Sequence, residues 1–158
     1  MALEVPAAWL DYAQEMSDRH AYEPALAYML VLDKHYPNAS DILGNIGAFL
    51  SMLKRDQEAI SYLKRAVELA PNDPINTWDL GRAYDYSGEP ALADHWYNNG
   101  IALMTDPGQI RQSRCTYAEF VEKKLKDATR ACKLQNENCE PDQRTACIAD
   151  SSGPKKAQ

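Results

Sequence analysis

The stretch LKRAVELAPNDPINTWDLGRAYDYSGEPALA, residues 63–93, holds two helix-like segments with a sharp break between them. On both sides of the break at 71–74, apolar residues recur every three or four positions, as on one face of an amphipathic helix. Proline cannot continue the hydrogen-bond ladder of a helix, so Pro71 predicts a helix end. The second segment carries Gly81 and Tyr84 three residues apart. We therefore expect a helix, a short turn and a second helix.

The same break recurs at a fixed distance, because Pro37 precedes Pro71 by 34 residues. With the chain aligned on that period, small and apolar residues fall into matching positions. The first halves carry Trp9, Tyr12, Ala13 and Met16, then Leu43, Ile46, Gly47 and Leu50, then Leu80, Gly81 and Tyr84; the second halves carry Ala25, Met29 and Leu32, then Ala59, Leu63 and Ala66, then Ala93, Tyr97 and Gly100. One helix pair cannot bury its apolar face alone, so neighbouring pairs are expected to stack.

This pattern resembles the tetratricopeptide repeat, whose period is the same. The resemblance covers about two-thirds of the chain, residues 1–107, and implies an all-α fold in which three helix pairs form a superhelix, or α-solenoid. The three repeats would span 6–39, 40–73 and 74–107. The middle repeat matches best. Thr77 and Thr105 in the third repeat and Leu32 in the first depart from the residues usual in the family.

After the repeats, residues 108–134 again show helical spacing. Ile110, Tyr117, Ala118, Val121, Leu125, Ala128 and Cys132 share one face of a helix. Repeat arrays need a cap over the apolar face of their last repeat, and we expect a capping helix here. Residues 135–158 are polar, and we expect a cysteine-containing tail whose end is disordered.

Composition and motifs exclude several classes of function. The 158-residue chain has a formal net charge of -6, whereas a nucleic-acid binder would carry a basic stripe. No apolar run approaches the roughly 20 residues that span a bilayer, so direct membrane insertion is not expected. We find no phosphate-binding loop, dinucleotide fingerprint, nucleophile elbow or pair of histidines on one helical turn. The expectation is a protein that is not an enzyme and binds neither a cofactor nor a metal.

The resemblance implies a binding groove on the concave side, lined by the first helix of each pair. The matching positions are Leu10, Gln14, Asp18, Asn45, Ala48, Ser51, Met52, Trp78, Arg82, Asp85 and Tyr86. Aromatic and Arg side chains often dominate binding energy, so Trp78 and Tyr86 are the expected anchors. The alternative for Trp78 is that it turns inward, because its neighbour Thr77 is a poor core residue.

Some members of the family hold a C-terminal carboxylate in a clamp of basic residues and Asn. The positions that should be basic are Leu10, Ile75 and Asp79, and only Asn45 fits. Apolar and acidic groups cannot neutralise an anion, so this chain is not expected to form the clamp.

The four cysteines, Cys115, Cys132, Cys139 and Cys147, all follow the repeats. None has the close pair spacing of a zinc site. Their even number in a small segment favours two disulfides, and hence an exported protein in an oxidising compartment such as a periplasm or lumen. Free thiols in the cytoplasm are the alternative.

Three disulfide connectivities are open. If residues 117–132 form one helix, its ends lie about 24 Å apart. A disulfide spans only about 4–7 Å between Cα atoms, which excludes a bridge from Cys115 to Cys132. Of the remaining two, we favour a Cys132–Cys139 bridge with a Cys115–Cys147 bridge, because the first closes a short loop. The other connectivity joins Cys115 to Cys139 and leaves the remaining two cysteines to pair.

The sequence therefore predicts an interaction adaptor or scaffold that binds a segment of another protein or a peptide in its groove and helps to assemble a complex. Self-association into a homo-oligomer is a further option. The alternative function is a chaperone like those of type III secretion systems, which protects a client protein before export. That resemblance is one of size and repeat number only.

Overall fold

A computed structural model describes residues 7–144 of the chain, and all regular secondary structure in that range is helical. The α-helices are α1 (Ala7–Asp18), α2 (Tyr22–His35), α3 (Ser40–Met52), α4 (Asp56–Leu69), α5 (Pro74–Tyr86), α6 (Pro90–Leu103), α7 (Pro107–Phe120) and α8 (Ala128–Asn138). A π-helical turn, Val121–Leu125, follows α7, and a short 3₁₀ turn, Pro141–Gln143, follows α8. Within residues 7–144, no helix combines the length and apolar character that crossing a bilayer requires.

The chain divides into two compact units after Leu103. The first unit contains α1 to α6, and each of the three predicted 34-residue segments holds one helix pair. Within this unit each helix packs against the next, and α3 also contacts α5. This stacking of successive pairs is the tetratricopeptide-like superhelix that the repeat predicts.

Two glycines mark where the helices of a pair approach most closely. A Cβ atom on Gly47 would collide with the side chain of Leu63 on the paired helix. A Cβ on Gly81 would lie 2.9 Å from the backbone nitrogen of Tyr97. Both glycines and both partners are separated by the 34-residue period, so one contact recurs in two consecutive pairs. The 34-residue period of the sequence is therefore also the period of the contacts between paired helices.

The turn inside each helix pair also repeats. His20, Lys54 and Gly88 adopt the left-handed conformation, with φ values of 56°, 63° and 81°. In each turn the next backbone N–H donates a 2.9 Å hydrogen bond to a carbonyl in the last turn of the preceding helix. This geometry closes the C-terminus of a helix and normally favours glycine. Glycine occupies only the third of the three positions, so the sequence did not reveal this recurrence.

The second unit is a helical hairpin, and the single helix expected over residues 117–132 is wrong. The chain passes from α7 into the π-helical turn, and Lys126 then adopts φ 56°, which ends the helix. The side chain of Asp127 accepts a 2.9 Å hydrogen bond from the amide of Arg130 and caps α8. Helices α7 and α8 pack against each other. The expected role of 108–134 as a cap on the repeats stays a prediction.

The hairpin decides the disulfide pairing. Cys115 and Cys139 are bonded, with Cα atoms 5.2 Å apart, and both are buried. Both favoured bridges, Cys132–Cys139 and Cys115–Cys147, are therefore wrong, because the chain reversal carries the end of α8 back along α7 and brings Cys139 to Cys115. Cys132 is also disulfide-bonded. Cys147 and the remainder of the 145–158 segment lie outside the described residues.

Polar contacts join the two arms of the hairpin as well. The guanidinium of Arg130 lies 5.2 Å from the ring centre of Tyr117 and donates a hydrogen bond to its hydroxyl. The side chain of Gln135 is fully buried and donates a 3.3 Å hydrogen bond to Glu122. A buried amide needs such partners, because an unsatisfied one would cost stability.

Candidate binding recess

A recess of about 420 Å³ lies on the first unit. Its wall comes from the first helices of the three pairs, α1, α3 and α5, together with the residue that precedes α5. The lining residues are Asp11, Gln14, Asp41, Gly44, Asn45, Ala48, Asp73, Ile75, Asn76 and Asp79. This is the face on which the repeat resemblance places a binding groove.

One column of polar residues crosses the recess. Asp11, Asn45 and Asp79 are separated by the 34-residue period, so each occupies the same position on successive first helices. A period that places apolar residues in register on the buried face also places polar residues in register on the open face. The recess therefore offers one hydrogen-bonding or charged group per repeat, at the equivalent position of each first helix.

The floor between α3 and α5 is held by a capping network. Asp73 accepts hydrogen bonds from the amides of Ile75 at 2.8 Å and Asn76 at 3.0 Å, which satisfies the first turn of α5. The Asn76 carboxamide donates a further 3.2 Å bond to Asp73. A Cβ on Gly44 would run into that carboxamide, with Cγ of Asn76 at 3.0 Å. Because Gly44 has no side chain, α3 can lie against α5 at this point of the recess.

The recess is acidic. Four aspartates line it, at positions 11, 41, 73 and 79, and none of the lining residues is Lys, Arg or His. Asp79 is largely buried and forms a 2.9 Å ion pair with Arg82, one turn further along α5. Burial raises the pKa of the Asp79 carboxyl, the Arg82 charge opposes that shift, and the like charge of Asp73 adds to it. The wall therefore presents an excess of negative charge.

Three of the predicted groove residues, Gln14, Asn45 and Ala48, line the recess. Asp18 is exposed at the end of α1, where its carboxylate accepts a 2.8 Å hydrogen bond from Gln14. The side chain of Leu10 is outside the described part of the structure.

Two further predicted residues lie at the opposite ends of α3 and α5 from the capping network. Met52 and Tyr86 are 38% and 43% exposed, so both are accessible to a partner. The ammonium of Lys54 lies 4.5 Å from the centre of the Tyr86 ring. Neither residue is among those that line the acidic recess.

The remaining four predicted groove residues do not line the recess; they are Ser51, Trp78, Arg82 and Asp85. Ser51 is only 1% exposed, so it belongs to the core and cannot contact a partner as predicted. Trp78 is half-buried and packs its ring 4.5 Å from that of Tyr97 on α6, which is the inward alternative. Arg82 and Asp85 lie beside the same tyrosine. Burial, and then the Asp85 charge, raise the pKa of Tyr97, whereas Arg82 lowers it.

Sequence reasoning missed most of the acidic lining. Asp11, Asp41, Asp73 and Asn76 were not among the predicted groove residues, and Asp79 was considered only for the carboxylate clamp. The available signal was the period itself, because Asp11 and Asp79 lie one repeat before and after Asn45. Asp41 and Asp73 carried no such signal, since acidic residues at helix N-termini are also explained by capping and the helix dipole.

The acidic side chains are spread out along the recess. In the part of the chain that the structure describes, no group of three or more His, Cys, Asp and Glu side chains converges as the ligands of a metal ion would.

Comparisons with known proteins agree with this fold. No protein-family model matches the chain, and no curated protein matches it. Among solved structures, a mutant O-GlcNAc transferase from Thermobaculum terrenum superposes with a TM-score of 0.75 at 18% sequence identity. The match covers 83% of this chain and 25% of that one, so the chain spans about a quarter of the transferase structure. At this identity the likeness establishes the fold alone, an all-α superhelix of tetratricopeptide-like helix pairs.

Proposed function

We propose that this protein is a non-enzymatic interaction scaffold whose acidic recess binds a segment of a partner protein. The observation that supports this proposal is the recess itself, which crosses the first helices of all three pairs. Its polar column repeats with the period of the fold, so each repeat can contact a different part of one bound segment. Stacked helix pairs are also a fold that commonly presents an extended concave surface for binding.

Rigidity favours this assignment of the site. The Asp73 cap and the Gly44–Asn76 contact hold the floor of the recess in place, so a ligand need not order these residues when it binds. A preorganised surface loses less conformational entropy when it binds, which raises affinity for a given contact area. The accessible Met52 and Tyr86 would extend the contact beyond the recess with apolar surface.

Site-specific photo-cross-linking tests the proposal. A benzophenone amino acid at Asn45 should cross-link partner proteins in the native host, because this position lines the recess. The same amino acid at Lys64, which is exposed on α4 outside the recess, is the matched control. Cross-links at Lys64 but not at Asn45 would contradict the proposal.

Blocking variants give the complementary test. Ala48→Trp fills the recess from α3, and Gln14→Trp fills it from the more exposed α1. Each should remove the cross-linked partner while circular dichroism and thermal unfolding stay close to the parent. If both variants fold and retain the partner, the recess is not the binding site.

We also propose that the protein works in an oxidising compartment, such as a periplasm or lumen. The support is the bond between Cys115 and Cys139, together with the bonded state of Cys132. Disulfides persist where thiols are not kept reduced. Alkylation of the protein in freshly lysed native cells, followed by mass spectrometry, should find these cysteines protected. Modified cysteines would place the protein in a reducing compartment.

A further inference from the structure

We infer that the segment bound in the recess is an extended chain rich in Lys and Arg. This inference rests on the proposed function and specifies the chemistry of its partner. It follows from the charge of the wall, from the environment of each aspartate and from the apolar surface beside them.

Two of the four recess aspartates lack a cationic partner among residues 7–144. Asp11 and Asp41 are exposed, and neither forms an ion pair with any described residue. Asp41 lies in the first turn of α3, where the helix dipole stabilises a negative charge. Asp11 lies in the middle of α1 and has no such stabilisation. A cationic ligand would supply the missing partner.

The other two aspartates are partly neutralised within the protein. Asp73 is engaged as the N-cap of α5, and Asp79 is paired with Arg82. The lining thus holds four carboxylates, of which Asp79 is paired with the guanidinium of Arg82. Charge complementarity across a binding surface selects partners and excludes those of like charge. An acidic segment would be repelled from this wall.

The apolar part of the wall suits long basic side chains. Ile75 lines the recess and is 66% exposed, and Ala48 leaves space beside it. Lys and Arg have aliphatic stems that pack on apolar surface while their charged ends reach polar groups. The aliphatic stem of a Lys or Arg that lies on Ile75 would bring the charged end of that side chain toward the aspartates of the recess.

The helix spacing sets the length of a bound segment. Helices α3 and α5 pack against each other, so their axes lie roughly 8–10 Å apart. An extended chain advances about 3.3 Å per residue, so about three residues cover that step. A segment of about a dozen residues is therefore long enough to contact more than one of the first helices.

Selection from a random-peptide display library tests the inference without assuming a ligand. Peptides of about a dozen residues, long enough to cross the repeats, are selected on the wild-type protein and counter-selected on Ala48→Trp and on Gln14→Trp. Peptides that depend on the open recess should be enriched in Lys and Arg. Their affinity should fall as salt rises, since exposed charges are screened.

Affinity measurements on the selected peptides use a matched pair of variants. Asp11→Asn with Asp41→Asn should weaken binding roughly tenfold, since each lost surface ion pair contributes a modest amount. Asp33→Asn with Glu68→Gln removes the same charge from positions outside the recess and should leave binding nearly unchanged. Equal weakening by both pairs would overturn the inference, because only net charge would then matter.

The outcomes separate this inference from the proposed function. Recess-dependent peptides that are neutral or acidic would overturn the basic-segment inference and leave the proposed function standing. If no peptide depends on the recess, both the inference and the proposed function fail.

Discussion

Lys54 and Gly88 occupy the same position in consecutive helix pairs and adopt the same left-handed backbone, with φ values of 63° and 81°. Glycine adopts this conformation without steric cost, whereas a residue with a Cβ atom pays roughly 1–2 kcal/mol for it. The middle pair therefore ends its first helix with a residue that does not favour the conformation it must adopt.

Lys54→Gly should stabilise the protein. Relief of the left-handed strain favours folding, while loss of the contact between Lys54 and Tyr86 opposes it by about 0.5 kcal/mol at this exposed site. We expect a net gain of about 0.5 kcal/mol in the free energy of unfolding, measured by urea denaturation. The reciprocal change Gly88→Ala should cost about 1 kcal/mol, although its Cβ would meet no atom within 4 Å. Effects of the same sign in both variants would contradict this account.

Gly100→Ala should be strongly destabilising. A Cβ at this position would lie 2.9 Å from the backbone nitrogen of Trp78 and 3.0 Å from its Cα, so α5 and α6 would have to separate. Intrinsic helix propensity alone predicts the opposite, a gain of up to about 1 kcal/mol. We expect a loss of about 2–3 kcal/mol in urea denaturation, as for other overpacked sites.

Gly44→Ala provides the comparison for that experiment. Its Cβ would collide with the Asn76 side chain and not with backbone, so a rotation of the carboxamide can relieve part of the clash. The loss should be smaller than for Gly100→Ala, and the added change Asn76→Ala should recover part of it. A larger loss of stability for Gly44→Ala than for Gly100→Ala would contradict this account, in which the first clash is with a side chain and the second is with backbone.

Stability should fall as the buried carboxyl of Asp79 ionises. Because its folded pKa is raised by burial, the folded state binds this proton more tightly than the unfolded state does. The resulting stabilisation is complete below the unfolded pKa of about 3.9 and is lost as pH rises through the higher folded pKa. Asp79→Asn should remove this decline, so its stability relative to the wild type should increase as pH rises above about 4.

Urea midpoints measured in steps from acid to neutral pH check this prediction. The variant leaves Arg82 without its carboxylate, but that cost is constant across this range because Arg stays charged. Asp33→Asn, on α2, serves as the control for an aspartate outside the recess. Parallel pH profiles for the wild type and Asp79→Asn would show that the folded pKa is not raised.

Loss of the Cys115–Cys139 bond should destabilise the hairpin. The bond closes a loop with a sequence separation of 24, for which restriction of the unfolded chain contributes about 3 kcal/mol. Cys115→Ser with Cys139→Ser should lower protection of the α8 amides in hydrogen exchange. Amides of α3 and α4, in the other compact unit, are the internal control. Non-reducing peptide mapping should recover the 115–139 pair, and a bridge from Cys132 to Cys139 would contradict the structure.

Much of the repeat fold could be predicted because its signals are local and periodic. The spacing from Gly47 to Gly81 and from Leu63 to Tyr97 encodes a helix contact that the structure reproduces twice. The hairpin could not be predicted in the same way. An apolar face continues through residues 117–132, and the helix ends because Lys126 adopts a conformation that its side chain does not favour.

The sequence by itself determined the period, the helix pairs and the positions that had to be small, because these follow from backbone hydrogen bonding and from burial of one face per helix. Only the tertiary structure decided which polar side chains share a surface. Asp11, Asp41 and Asp79 come from separate repeats, and they line one recess because α1, α3 and α5 lie on the same side of the stack. Trp78 turns toward Tyr97, and Cys139 meets Cys115, for the same reason. A side chain's partners depend on how helices distant in sequence pack, and local spacing does not record that packing.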